Sequence, residues 1–384
     1  MRFCVTVINW GPNHPAAHGV MRLLVELMFE IVINVDLHLG LLHRATEKLI
    51  EMKVWIQVVG YFDRLDYVSS VVQEEVFICS LEVVSECEFN NIFRRIFVIE
   101  LMRVINHWLV LGCHAGDMGA VSFILWFFED RERVFELIER ITGARMHSIY
   151  FRLFRVSYLW SNELLDDIYV FLVSSISRID DSFDVMLGEL FRLRLCSVFV
   201  LGFDEVLLFS FSGVLCRACG ISWDLRVDCD FYYAISFVIC YSSISDSFDR
   251  LLIRISEIKE SLFIVFSMLL LVVIGFESMI FSSGNGALRW LLFSSMELVI
   301  NCFFFGLCLF IELLEFGVGY FELPKGEFIN INLLIESLLL FRNRIRSVGF
   351  LCLSSFIFSV KGLFISDLVV AIGTIDVVFG EVDR

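Results

Sequence analysis

The stretch Asn9–Gly19, NWGPNHPAAHG, places two histidines, His14 and His18, four residues apart among two prolines and two glycines. The chain has only three prolines in all, so this is an unusually stiff segment. An H-x3-H pair suits a metal when a helix brings both imidazoles to one face. Pro12 and Pro15 argue against a regular helix here and remove that geometric warrant. Spacing alone leaves three readings open: a metal clip, a structural loop and a polar loop that meets a ligand. His38 and His43 follow soon after, so four of the seven histidines lie in the first 43 residues.

A second constellation is YFDRLDY at 61–67. Carboxylates at a helix opening explain Asp63 and Asp66 through the helix dipole and a salt bridge to Arg64. They leave the hydroxyls of Tyr61 and Tyr67 in an apolar neighbourhood, where each needs a polar partner. A cavity that wants a hydrogen-bond donor would use such a tyrosine. Other motifs carry less. Cys216 and Cys219 form an isolated C-x-x-C with no second pair at zinc spacing, and read as coincidence in a chain with 12 cysteines. GNG at 284–286 and GVG at 317–319 lack the rest of a nucleotide fingerprint and read as turns.

The elements that hold these residues are written in a greasy alphabet. Of 384 residues 58% are hydrophobic and 41 are Phe, and the mean hydropathy is +0.78. The favoured residues have T- or G-rich codons, so part of the surplus reads as nucleotide bias of a small, organelle-type genome. The net charge of −16 argues against a nucleic-acid partner, because nothing here would neutralise phosphates in bulk. Scattered cysteines fit a reducing compartment, and the N-terminus reads as neither a signal nor a transit peptide. Short apolar runs in 1–44 predict β-strands. From about residue 63 the spacing turns helical, with Arg95, Arg103 and Asn106 on one face and Gly143 as a stop after FEDRERVFELIERIT. Residues 262–276 are apolar without interruption before Glu277, shorter than the ~20 residues a membrane span needs. They predict a buried bundle helix.

Several blocks then fit one family together: INWGPNHPAAHGVMRLLVEL, HLGLLHRATEKLIE, YFDRLDYVSS, GARMH, GISWDLR, PKGEF and AIGTIDVVFGEVDR. In this order, over essentially the whole chain, they resemble the 49-kDa subunit of respiratory complex I (NADH dehydrogenase subunit 7), in a divergent, organelle-encoded mitochondrial form. That family is related to the large subunit of nickel–iron hydrogenases, whose metal sits between two C-x-x-C pairs. HLGLLHR and DVVF stand at the matching places without cysteine. The soft thiolates that a nickel–iron centre requires are therefore missing, and the resemblance implies a quinone in that cavity instead.

The resemblance implies an α+β, hydrogenase-large-subunit-like fold. Read along the chain, the patterning divides it into a β-rich part at 1–60 carrying the quinone loop, a helical bundle at 61–196, a β-containing segment at 197–246, a helical pair at 247–315 and a mixed segment at 316–384. The resemblance assigns His18 and Tyr67 to the two quinone carbonyls and Asp117 to orienting the histidine. Arg64 and His147 fall beside a 4Fe–4S cluster held by the adjacent subunit, and Val378 falls on the pocket wall. Arg44 matches an arginine that is methylated in some relatives. The implied function is quinone reduction in proton-pumping NADH:ubiquinone oxidoreductase, with ubiquinone as substrate and no cofactor or metal held by this chain alone. The implied partners are the 4Fe–4S quinone-site subunit, the 30-kDa subunit and membrane subunit 1. The implied place is the matrix side of the mitochondrial inner membrane, peripheral to the bilayer. Three features depart from the family pattern: Gly60 before YFDR in place of Pro, YFRLFRV in place of a Gly-Gly loop, and INLLIESLLLFRNR after PKGEF.

Overall fold

The computed structural model describes residues 5–14, 19–84, 92–152, 155–156, 160–229, 232–233, 235–273, 316–334 and 339–384. Helices and small antiparallel sheets share one buried apolar cluster that runs from Trp10 to Val382, which agrees with an α+β class.

The chain opens with β1 (Val5–Trp10), β2 (Arg22–Met28) and β3 (Ile31–His38), an antiparallel sheet in the order β1-β2-β3. In β2 the residues Leu23, Val25 and Leu27 alternate into the core, as a sheet with one wet face requires. The expected N-terminal strands are therefore present. Two short helices follow, α1 (Thr46–Glu51) and α2 (Trp55–Phe62), so the boundary expected at 60 falls inside a helix.

The bundle consists of α3 (Ser70–Val84), α4 (Ile92–Asp117), α5 (Val121–Thr142) and α6 (Asn162–Met186), with a small β4–β5 hairpin (Phe151–Arg152, Arg155–Val156) between the last two. The helix α5 ends at Gly143, whose φ of 87° is the left-handed cap its sequence predicts. Polar residues on the predicted face of α4 turn inward and are paired. Arg95 bridges Glu75 and Glu82 at 2.8 and 2.7 Å, and Arg103 donates to the Glu322 carbonyl at 2.6 Å. Buried charges persist only when paired in this way.

Residues 197–246, expected to contain β-strands, instead form short helices: α7 (Glu189–Leu195) leads into α8 (Phe203–Leu208) and α9 (Val214–Ala218), then a 3-10 turn at Leu225–Val227. No strand is present in this segment among the described residues. The helices α8 and α9 are only six and five residues long, too short for a period of two to be told from one of 3.6. The helix α10 (Ser247–Val273) packs against α4 and α6 with Leu262, Ile264, Val265 and Met268 buried, which supports the bundle reading for that part of 262–276. The predicted second helix of that pair and the GNG at 284–286 lie outside the described residues.

The C-terminal segment is mixed, as expected: a sheet of β6 (Phe316–Leu323), β7 (Gly326–Leu334) and β8 (Leu340–Arg346), then α11 (Val348–Ser359), α12 (Ile365–Ile375) and α13 (Phe379–Asp383). The GVG expected to turn lies inside β6. A Cβ on Gly317 or Gly319 would stand 2.3 Å from the Ser80 carbonyl or 2.1 Å from the Val76 carbonyl. These glycines let a strand lie directly on the backbone of α3.

Candidate functional site

A cleft of about 380 Å³ opens where the loop after β3, the α2–α3 link, the segment after α5 and the start of α13 meet. Leu42, Leu49 and Leu65 supply its apolar wall, Tyr61 and Tyr67 its phenols, and Arg44, Arg64 and His147 its cationic or protonatable side chains. Five residues singled out in the sequence, Arg44, Tyr61, Arg64, Tyr67 and His147, thus line one space.

Tyr67 sits in the link between α2 and α3, half-buried. Among the described residues its hydroxyl has no hydrogen-bond partner. Burial raises its pKa, opposed by the Lys325 ammonium and reinforced by Asp66 and Asp376. The adjacent Asp66 is fully buried and caps the turn: its Oδ1 accepts from Val68 N at 3.1 Å and its Oδ2 from the Ser69 hydroxyl. The same Oδ2 accepts from Lys325 Nζ at 2.7 Å. Burial alone would raise the Asp66 pKa, but the lysine, together with the Ser69 and Val68 hydrogen bonds, holds the carboxyl below its ordinary value. Lys325 also donates to Asn106 Oδ1 at 2.8 Å, and Asn106 Nδ2 donates to Asp376 Oδ2 at 2.8 Å.

On the other side of the cleft, His147 Nδ1 lies 3.1 Å from the buried Asp63 Oδ2. Behind Asp63 is Glu74, whose Oε2 accepts from Tyr150 N at 2.9 Å. Burial raises both carboxyls, and Asp63 raises Glu74 further. A neighbouring carboxylate penalises a second negative charge, so the Glu74 carboxyl is pushed towards its neutral form while Asp63 faces the His147 ring. Arg64 points outward and donates to the Gly60 carbonyl at 2.8 Å.

The C-terminus closes the site. The Asp383 carboxylate accepts from Gly40 N at 3.0 Å and Leu42 N at 2.7 Å, and its carbonyl meets His43 Nδ1 at 2.6 Å. A Cβ on Gly380 would stand 2.4 Å from the Leu65 carbonyl, so only glycine lets α13 lie against the Arg64–Leu65 backbone. HLGLLHR and the terminal GEVDR, distant in sequence, therefore form one wall.

Other sequence-named residues fall differently. His18 lies outside the described residues. His14 closes a turn by donating its backbone N–H to the Gly11 carbonyl at 3.0 Å, with its ring 4.3 Å from that of Trp10. Asp117 ends α4 against Gly373 of α12 and does not line the cleft. Burial lifts its pKa to about 6. Val378 is buried in the turn before α13, and its neighbour Gly380, not Val378, lines the space. Sequence reasoning assigned no role to Lys325, although it stands in the PKGEF block, nor to Glu74, Gly380 or Asp383. Their signal is long-range pairing, which spacing along one chain does not carry.

Comparison with known proteins gives the arrangement a family. The profile described as "Respiratory-chain NADH dehydrogenase, 49 Kd subunit" matches residues 117–384. The NADH-ubiquinone oxidoreductase 49 kDa subunit of Reclinomonas americana is 40% identical over 98% of this chain and 96% of its own length. The protein of the same name from Pylaiella littoralis is 39% identical, again over 98% of this chain and 96% of its own length. The chain belongs to the 49-kDa subunit family of the respiratory-chain NADH dehydrogenase. The span matched by the 49-kDa profile contains Asp117, His147, Lys325 and the closing segment Asp376–Arg384, while the full-length 49-kDa relatives extend the match across the Tyr61–Tyr67 link. The NADH dehydrogenase [ubiquinone] iron-sulfur protein 2 of Nephroselmis olivacea is 37% identical over 98% of this chain and 96% of its own length.

Proposed function

We propose that this chain is a core peripheral-arm subunit of proton-pumping NADH:ubiquinone oxidoreductase, and that the cleft beside Tyr67 is where quinone is reduced to quinol. A quinone head is flat and largely apolar, with two carbonyls that want donors, and it suits an apolar pocket with a few placed polar groups. The observation that carries the reading is Tyr67, whose hydroxyl is unpartnered within the described chain and which lines a largely apolar cleft. Tyr67 donates to one carbonyl and His18 to the other. Asp117 orients His18 and favours its imidazolium, so that a proton passes as electrons arrive.

Arg64 and His147 would lie toward a 4Fe–4S cluster held by the neighbouring iron–sulfur subunit, which would supply the electrons. Positive charge and a hydrogen bond from these two side chains tune such a cluster. Val378 backs the wall behind Gly380. The other partners in this reading are the 30-kDa subunit and membrane subunit 1, and the place is the matrix side of the inner membrane. Kinship with nickel–iron hydrogenases belongs to the same proposal. The chain's own donors do not fit that metal: HLGLLHR and DVVF offer no thiolate, and the nearby Asp383 carboxylate is taken up by two backbone N–H groups.

Tyr67→Phe removes the donor and keeps the ring. In membranes carrying the assembled complex, NADH oxidation by a short-chain ubiquinone is expected to fall at least about tenfold. NADH oxidation by ferricyanide, which bypasses the site, should stay unchanged. Normal quinone activity in this variant would overturn the assignment.

A further inference from the structure

A buried ammonium near the cleft has no role so far. Lys325 occupies the tip of the β6–β7 hairpin, whose Leu323 and Gly326 pair across a two-residue loop. The hairpin drives that tip into the bundle. A Cβ on Gly213, whose φ is +71°, would stand 2.5 Å from the Lys325 carbonyl, so a bare backbone there lets the tip seat. Glu327 N donates to Ser212 Oγ at 3.0 Å, and Arg103 holds the Glu322 and Leu323 carbonyls at 2.6 and 3.3 Å. The side chain of Lys325 is 2% exposed, and its Nζ reaches both Asp66 and Asn106.

We infer that Lys325 is the positioning residue for Tyr67, a fixed buried cation that keeps the tyrosine able to give up its proton during quinone reduction. The inference rests on the reading of Tyr67 as the quinone's donor. The charge balance shows why the cation is needed. Quinone takes two electrons from the neighbouring cluster and two protons to become quinol. At one carbonyl the Tyr67 O–H bond breaks, a new O–H bond forms on the quinone, and a tyrosinate remains until solvent reprotonates it. That anion arises next to Asp66 and within the field of Asp376. Without a cation, two carboxylates would oppose it in a medium of low dielectric. Lys325 is fixed before the reaction starts, so it stabilises the developing charge with little reorganisation.

The charged and titratable groups around Lys325 come from four elements. They are Asp66 and Tyr67 from the α2–α3 link, Asp376 at the end of α12, Glu381 of α13, and Arg254 of α10 beyond Asp376, with the neutral Asn106 of α4 completing the shell. Burial, with Asp66 next, raises the Glu381 pKa to about 8, so near neutrality it is mostly uncharged. Burial raises the Asp376 pKa too, opposed by Lys325 and Arg254, so Lys325 chiefly answers Asp66, the Asp376 carboxyl it helps to keep ionised and the transient tyrosinate.

Lys325→Gln in the assembled complex tests this. With the cation gone, buried Asp66 loses what holds its carboxyl low and titrates nearer neutrality. The expected result is a kcat with short-chain ubiquinone at least about tenfold lower and a KM within about twofold. Taken relative to the wild type at each pH, the residual rate should fall further as pH rises from about 6 to 8, because Asp66 is ionised throughout that range in the wild type and not in the variant. Lys325→Arg, which keeps the charge, should restore the wild-type profile. Should Lys325→Gln fail to assemble, Asp66→Asn with Lys325→Gln removes the buried pair together, and should assemble with a low rate and no such slope. A Lys325→Gln or paired variant that turns over quinone at the wild-type rate per ferricyanide activity overturns the inference. If Tyr67→Phe is impaired at the same time, the quinone assignment stands and only the role of Lys325 falls.

Discussion

Asp117 ends α4 with its carboxyl against Gly373, and burial lifts its pKa to about 6. A raised carboxyl is neutral below that value and charged above it, so Asp117 can support a protonated imidazole only on the alkaline side. Asp117→Asn should therefore lower quinone reduction most above about pH 6, and the gap to the wild type should narrow below about pH 6, where the native carboxyl is itself neutral. Rates across that range, normalised to ferricyanide activity, check this; a gap constant with pH would make the residue purely structural. At this scale the sequence was a partial guide. Tyr67, Arg64 and His147 were legible because their types and spacing matched a known pattern, and they do share one cleft. Lys325 and Glu74 were not, because each acquires its meaning from a partner on another element: Asp66 for the first and the Tyr150 and Phe151 N–H groups for the second.

Elements succeeded or failed in the reading according to length. The 22-residue α5 shows its periodicity and its glycine stop plainly, and β2 shows its alternation. The five- and six-residue helices α9 and α8 do not, and strands were expected there. Glycines misled in a related way: GVG at 317–319 has the composition of a turn but serves as a strand pressed on α3. The same close-approach logic gives a prediction at the other end of the site. Gly380→Ala places a methyl 2.4 Å from the Leu65 carbonyl, so α13 must withdraw from the Arg64–Leu65 backbone. Overpacking of this kind costs about 1–3 kcal/mol. Quinone activity of the variant should be lost at a lower temperature than in the wild type, while ferricyanide activity follows its usual curve. An unchanged midpoint would show that the wall is not rigid.

At the scale of the whole molecule, hydropathy and architecture point in opposite directions. A mean hydropathy of +0.78 suggests a membrane resident. Among the described residues, one helix, Ile92–Asp117, is long and apolar enough to cross a bilayer, yet 89% of its most apolar window is buried in the fold. Its polar residues explain why it belongs there. Arg95 is held by Glu75 and Glu82, Asn106 by Lys325 and Asp376, and His107 lies 2.9 Å from Glu257, its pKa brought down to about 4 by burial. Lipid offers no partners for such groups, and removing them from the protein interior would leave each unpaired. The peripheral placement proposed above therefore predicts that alkaline carbonate releases this chain from membranes together with other peripheral-arm subunits. Immunoblots of pellet and supernatant decide it. Retention in the pellet, with a known peripheral subunit released from the same sample, would mean that part of the chain inserts in the bilayer and would overturn the peripheral reading. The α4 pairing makes release the expected outcome, because the helix most suited to a membrane by composition is the one whose charges the fold has already satisfied.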